Sequence, residues 1–255
     1  DVHAPEKYGV YQSVGDTVGP GGVLRAMRAV PLFEGFARAI RKHCPDAWVI
    51  NLTNPMTACT KTLYDVFPEI KAFGCCHEVF GTQKLLCDML RTEHGIEGVR
   101  RQDLYTTVTG INHFTWLTRA SWRGMDLMPL YARFAEKYAE TGFEDGTDDN
   151  WMNNHFKCAH RVKFDLFRRY GAIAAAGDRH LAEFTAPWYT ATPETVREWK
   201  YQLTTVDWRV KDLEDRMKRS DDLISGAEPI VLKPMERRLI PTGLHISLPV
   251  GYEAQ

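Results

Sequence analysis

No run of about eighteen apolar residues occurs in the 255-residue chain, so the sequence contains no candidate for a membrane-spanning helix. The first residues show no basic stretch followed by an apolar one, which leaves no signal-peptide pattern to read. An excess of charge is also missing: 32 Lys and Arg face 33 Asp and Glu, a net charge of -1. Such a balance gives no electrostatic reason to hold a nucleic acid or another polyanion, and a small-molecule substrate is expected instead. The six cysteines, at positions 44, 59, 75, 76, 87 and 158, lack the even ladder of a disulfide scaffold and include one adjacent pair. That pattern predicts reduced thiols in a cytoplasmic protein. Missing too is any Gly-x-Gly-x-x-Gly after an initial strand. Either no nucleotide binds, or the first half of a nucleotide domain precedes Asp1; the opening at Asp1-Val2-His3, in what reads as mid-domain, favours the second.

With 44% hydrophobic residues the chain can build one large core or two smaller ones. Residues 20–44 carry apolar side chains at helical spacing after a Gly-Pro-Gly-Gly turn, with Pro31 expected to kink or restart the helix. Ala47 to Leu52 is a short, mostly apolar run containing Val49 and Ile50 and reads as a strand. Asn54 then suits a helix N-cap and Pro55 the first helical position of a stretch to Asp65. The unit repeats with a strand over Ile70 to Gly74 and a helix over Cys76 to Arg91, and this alternation predicts parallel βα units in an open α/β sheet. A third strand, Leu104 to Gly110, leads into Ile111-Asn112-His113-Phe114-Thr115-Trp116. A domain boundary is expected between Arg119 and Gly124, dividing residues 1–120 from 121–255. Residues 141–154 read as an acidic surface loop, 194–220 as one or two charged amphipathic helices, and the proline-bearing end from Pro229 as extended chain.

Four segments carry residue types that do chemistry. Cys76 and His77 sit where a strand ends and a helix begins, the place where open α/β sheets bind ligands. A thiolate there would be favoured by the helix N-terminus and could act as nucleophile or metal ligand; alternatively Cys76 is simply a small buried apolar residue. His113 is either a structural histidine or a ligand, and the second reading gains if both residues lie at carboxyl ends of strands of one sheet. One thiolate and one imidazole are too few for a closed zinc site but suit an open catalytic metal. Asn54, in an apolar strand ending in Asn-Pro, resembles the residue beside the nicotinamide in lactate and malate dehydrogenase-like domains, although Asn-Pro is also a good helix start. Gly177-Asp178-Arg179-His180, with Glu183 close behind, is either an exposed turn with a local ion pair or a polar site for a hydroxylated or anionic substrate.

Taken as an ordered set, these segments resemble the family 4 glycoside hydrolases. The likeness runs through Lys7-Tyr8-Gly9, Gly15-Asp16-Thr17, Gly19-Pro20-Gly21-Gly22, Cys44-Pro45-Asp46-Ala47-Trp48 and Asn51-Leu52-Thr53-Asn54-Pro55. It continues through Cys76-His77-Glu78-Val79, Gly110 to Trp116, and Gly177-Asp178-Arg179-His180. The resemblance implies a Rossmann-like NAD domain, here its second half, joined to an α/β substrate domain. It implies NAD near Thr53 and Asn54, and manganese or a similar divalent ion on Cys76 and His113. It further implies oxidation of the sugar at C3, removal of the C2 proton, loss of the C1 substituent, addition of water and re-reduction, in place of the usual carboxylate pair. Asp178 is the expected base with Tyr170 as the second choice, and His77 the expected acid. Asp16, Asn54, Glu78, Asn112, Arg179 and His180 are expected on the substrate, with Arg179 and His180 pairing a C6 carboxylate. The Cys-His-Glu-Val form resembles members cleaving α-galacturonides; glucuronides, galactosides and glucosides are the alternatives within the family. A homo-oligomer, dimer or tetramer, is implied as well. Two readings from other classes stay open: a lactate- or malate-type dehydrogenase, and a sugar-binding module without catalysis.

Overall fold

The computed structural model describes residues 2–144, 158–185 and 187–226. Their contacts divide the chain into two units, Asp1–Arg209 and Val210–Gln255. The first unit starts with a short 3-10 turn over Ala4–Tyr8 and the helix α1, Gly19–His43. Pro31 lies inside α1 without ending it, contrary to the expected restart. Strand β1 (Trp48–Asn51), helix α2 (Met56–Val66), strand β2 (Lys71–Gly74) and helix α3 (Glu78–His94) follow, as the βα alternation predicts. β1 and β2 pair in parallel with Ile50 opposite Phe73 and Asn51 opposite Gly74. Beneath them Phe33 and Ala37 of α1, Cys59 and Leu63 of α2 and Ala72 of β2 form one small core. The other face is open: Trp48 and Ile50 are 71% and 60% exposed, and Leu52 and Phe73 are exposed beside them. Parallel sheets are normally covered on both faces, whereas this apolar face is uncovered among the described residues.

The third strand departs from the expected pattern. β3 (Leu104–Ile111) pairs antiparallel with β4 (Phe114–Trp122), which pairs in turn with β5 (Met125–Asp126) and β6 (Ile173–Ala174). The protein is therefore α/β with one parallel sheet and a separate antiparallel one. Cys76 and His113 consequently do not sit at strand ends of one sheet, as expected. His113 instead lies in the two-residue turn of the β3–β4 hairpin. Gly110 permits that turn, since at φ +113 a Cβ there would come within 2.5 Å of the Phe114 carbonyl.

Helices α4 (Met128–Lys137) and α5 (Arg161–Tyr170) pack on this sheet and on α3. Leu86, Met89 and Leu90 meet Leu117, Tyr131, Phe134 and Phe164 there, all buried. Each such side chain contributes roughly 1.5–3 kcal/mol by leaving water. A third core joins Val162 and Leu166 of α5 to the alanines 174 and 176, Leu181 of α6 (Asp178–Phe184), Val196 of α7 (Pro193–Glu198) and Tyr201. The charged stretch over 194–220 thus resolves into α7 and α8 (Val206–Gly226), the latter running on into the second unit. Most of the expected acidic loop, and the proline-bearing end, lie outside the described residues.

Candidate active site

A polar cluster forms where the loop before α1 meets the β3–β4 turn, the start of α3 and the start of α6. The loop is pressed tightly on α1, because a Cβ on Gly22 would lie 2.5 Å from the Thr17 carbonyl carbon. Only glycine admits that approach, and it sets the position of Asp16 and Thr17. The Thr17 hydroxyl donates to Asp16 Oδ1 at 2.8 Å and lies 3.1 Å from His113 Nδ1. With its single proton directed to Asp16, the hydroxyl accepts from the imidazole, so His113 carries its proton on Nδ1 and presents a bare Nε2. Burial, assisted by His180, pushes the His113 pKa down to about 4, which keeps the ring neutral.

His180 stacks on His113 with ring centroids 3.6 Å apart, and its Nδ1 is buried without a hydrogen-bond partner. Donor atoms of Asp16, His113 and His180 all lie within 4.8 Å of one another. Two imidazoles, one of them with an unsatisfied buried nitrogen, and a carboxylate form a donor set that fits a divalent cation. Burial opposes ionisation of Asp16, but His180, Thr17 and His113 outweigh it and hold the carboxyl below its ordinary range. Glu78 is similar: burial is overcome by His180, the Gly177 amide, His113 and His77. Its Oε2 accepts from Gly177 N at 2.6 Å, while Oε1 faces His77 at 3.7 Å and His180 at 4.0 Å.

Cys76 shares Asp16 and Glu78 as charged neighbours with His113, which puts thiol and imidazole on the same two carboxylates. The expected thiolate is not favoured by the protein alone. Burial pushes the thiol up to about 11, and α3 starts only at Glu78, with His77 as its N-cap. His77 itself is half-exposed. Asn54 does not cap α2, whose N-cap is Pro55. Its amide instead donates to Asp16 Oδ2 at 3.3 Å, and its Oδ1 accepts from Asn112 Nδ2 at 3.1 Å. Thr53 is exposed at the end of β1, where its backbone amide donates to Asn51 Oδ1.

Two expectations are corrected here. Asp178 is fully buried, and its two oxygens accept from the backbone amides of Val162 and Lys163 at 3.2 and 3.1 Å. The carboxylate thereby occupies the unsatisfied donors of the α5 N-terminus, and it cannot reach a sugar carbon. Arg179 is 4% exposed and donates to the carbonyls of Gln202 and Ser13 and to the Thr204 hydroxyl. A guanidinium fixed on three protein oxygens is a structural tie, not a ligand for a C6 carboxylate. Tyr170 remains accessible at the end of α5, its ring edge-on to Trp116, three residues from His113. Sequence reasoning passed over Thr17, although it adjoins Asp16, and over Arg25 and Arg209, which only the fold brings beside Asp16.

Residues 1–92 match the family 4 glycosyl hydrolase domain, and residues 108–237 match that family's C-terminal domain. The chain belongs to glycosyl hydrolase family 4. Within the family it is 62% identical, over 91% of its length, to an alpha-galacturonidase of Thermoanaerobacterium saccharolyticum, of which it covers 50%. Its fold superposes with a TM-score of 0.81 on the crystal structure of the putative glucosidase lplD of Bacillus subtilis, at 55% identity over 88% of this chain and 51% of that one. A 6-phospho-alpha-glucosidase from gut microorganisms, solved with NAD and Mn2+, shares the fold at 19% identity and a TM-score of 0.58, over 81% of this chain and 45% of that one. The chain spans about half the length of the curated relatives it matches. No helix among the described residues is long and apolar enough to cross a membrane, and all six cysteines are free thiols.

Proposed function

We propose that this chain is part of an NAD- and manganese-dependent glycosidase that cleaves α-linked galacturonides. The observation that carries the reading is the Asp16–Thr17–His113 chain, which holds the imidazole in a cluster where donor atoms of Asp16, His113 and His180 lie within 4.8 Å of one another. Support for the substrate comes from the relative named alpha-galacturonidase, and support for the cofactors from the family 4 structure solved with NAD and Mn2+. When bound, these groups supply a hydride acceptor and a Lewis acid.

The chain's own residues do the rest. His113 and Cys76 would hold the ion, with Asp16 and His180 near enough to His113 to join it or to orient it. Asn54 and Asn112, locked to each other, address the sugar hydroxyls and the nicotinamide side, with Thr53 at its margin. Glu78 holds the histidine pair and the Gly177 turn in place beside the substrate. Tyr170 takes the role of C2 base, since the Asp178 carboxylate is committed to α5. His77, accessible and next to the metal thiol, protonates the departing oxygen.

We place the division between nucleotide and substrate parts in the segment before β3, because β4 occupies the interval as far as Trp122 and a two-residue turn then joins it to β5 of the same sheet. The open face of Trp48, Ile50 and Phe73 is then covered by other elements of a nucleotide-binding domain. The whole protein is a cytoplasmic homo-oligomer on this reading. The test is hydrolysis of an α-galacturonide by the whole protein in deuterated water, with and without manganese. Deuterium at C2 of the released sugar is expected, and unlabelled product would end the proposal.

A further inference from the structure

The site contains two guanidinium groups that the scheme above leaves idle, those of Arg25 and Arg209. Arg209 donates through Nη2 to the carbonyl of Val14, two residues before Asp16, while its Nε is buried and has no hydrogen-bond partner. Asp16 and Glu183 lie close enough to attract this guanidinium, and Arg25 close enough to repel it. Arg25 in turn is held by a 2.9 Å bond from its Nε to the Asn54 carbonyl. Two guanidinium groups therefore border one carboxylate, Asp16, whose oxygens already accept from Thr17 and Asn54.

Asp16 offsets one of these two charges, and the buried Nε–H of Arg209 still lacks an acceptor, which an incoming oxyanion would supply. A planar, bidentate carboxylate is what an arginine fork matches best. We propose that Arg209, with Arg25 beside it, is the specificity-determining group that receives the C6 carboxylate of the sugar. This rests on the uronide reading above, and it moves to Arg209 the role that sequence suggested for Arg179. A dinucleotide pyrophosphate is the competing anion. Such a group is ordinarily seated on backbone amides, whereas Arg209 meets a backbone carbonyl, that of Val14, beside the carboxyl groups of Asp16 and Glu183.

The experiment measures kcat/KM of the whole protein on an aryl α-galacturonide and on the matching neutral α-galactoside, together with NAD affinity and the melting temperature. The variants are R209Q, R209K and R25Q. R209Q is expected to lower kcat/KM on the galacturonide about a hundredfold, mostly through KM, because a charged hydrogen-bonded pair is lost, and on the galactoside by about threefold or less. R209K, which keeps the charge without the fork, is expected to recover about a tenth of the lost selectivity, and NAD affinity stays within about twofold. Should R209Q fail to fold, R209K and R25Q decide, each expected to narrow the ratio between the two sugars about tenfold. Equal losses on both sugars, a ratio unchanged in R209K, or a loss confined to NAD affinity would overturn the assignment. A wild-type protein with no preference for the galacturonide removes the uronide reading and this proposal with it; a wild-type preference that survives every variant removes the proposal alone.

Discussion

Replacing Arg179 by alanine separates a structural tie from a substrate clamp. The guanidinium donates to Gln202 O at 3.0 Å, to Ser13 O at 2.9 Å and to the Thr204 hydroxyl. Hydrogen bonds from a charged donor contribute about 1.5–3 kcal/mol each, and two of the three acceptors, on Ser13 and Thr204, belong to buried residues. Against this, the cation is held at a cost. Burial, the largest influence, pushes its pKa down to about 10, a penalty of about 3 kcal/mol on the charged form that the alanine variant recovers. The net expectation is a loss of about 3 kcal/mol, which at a slope of about 2–3 kcal/mol per molar lowers the urea midpoint by about 1 M. Among the molecules that stay folded, the ratio of kcat/KM on galacturonide and galactoside is expected to remain that of the wild type. An Arg179→Ala protein of unchanged urea midpoint and abolished uronide preference would refute the reasoning and restore the direct role read from sequence.

Cys76→Ser and His113→Ala are each expected to weaken manganese binding about 10–100-fold, read by titration of the whole protein followed by electron paramagnetic resonance, without a large change in melting temperature. Wild-type affinity in either variant would remove that residue from the ligand set. Gly22→Ala drives a methyl group into the Thr17 backbone and is expected to destabilise by about 1–3 kcal/mol while lowering kcat, since Thr17 orients His113; an active variant of unaltered stability would contradict the packing. Met89→Ala empties a fully buried position and should cost about 2–5 kcal/mol with catalysis intact, measured by urea unfolding and kcat. Burial raises Glu183 to about 7 against the opposing amides of Val14 and Gly15. The folded state therefore takes up a proton between about pH 4.5 and 7, so this group's contribution to stability is fully present below that range and is lost as pH rises through it. Glu183→Gln keeps the amide acceptor without the charge, so its unfolding free energy is expected to match wild type at pH 4.5 and exceed it at pH 8 by at most about 3 kcal/mol. Parallel stability curves for the two proteins from pH 4.5 to 8 would refute it.

Periodicity alone placed α1, β1, α2, β2 and α3, because each element buries a stripe or a run of side chains that sequence spacing reveals. The motifs around Asp16, Asn54, Cys76 and His113 pointed to the family by their resemblance to family 4 glycoside hydrolases, not by any periodicity. Pairing direction was not legible: β3 looks like β1 and β2 in sequence, and only its partner β4, joined by a two-residue turn at Asn112 and His113, makes it antiparallel. Nor could composition tell a carboxylate that serves a substrate from one that serves a helix. Asp178 and His180 are two residues apart, yet the helical geometry of α6 turns the first toward the α5 amides and the second toward His113. Arg179 and Arg209 exchange their expected importance for the same reason. Long-range contacts decide which buried guanidinium finds protein oxygens and which keeps an unpaired N–H, and no spacing in the chain encodes a contact across nearly two hundred residues, such as that from Arg209 to Val14.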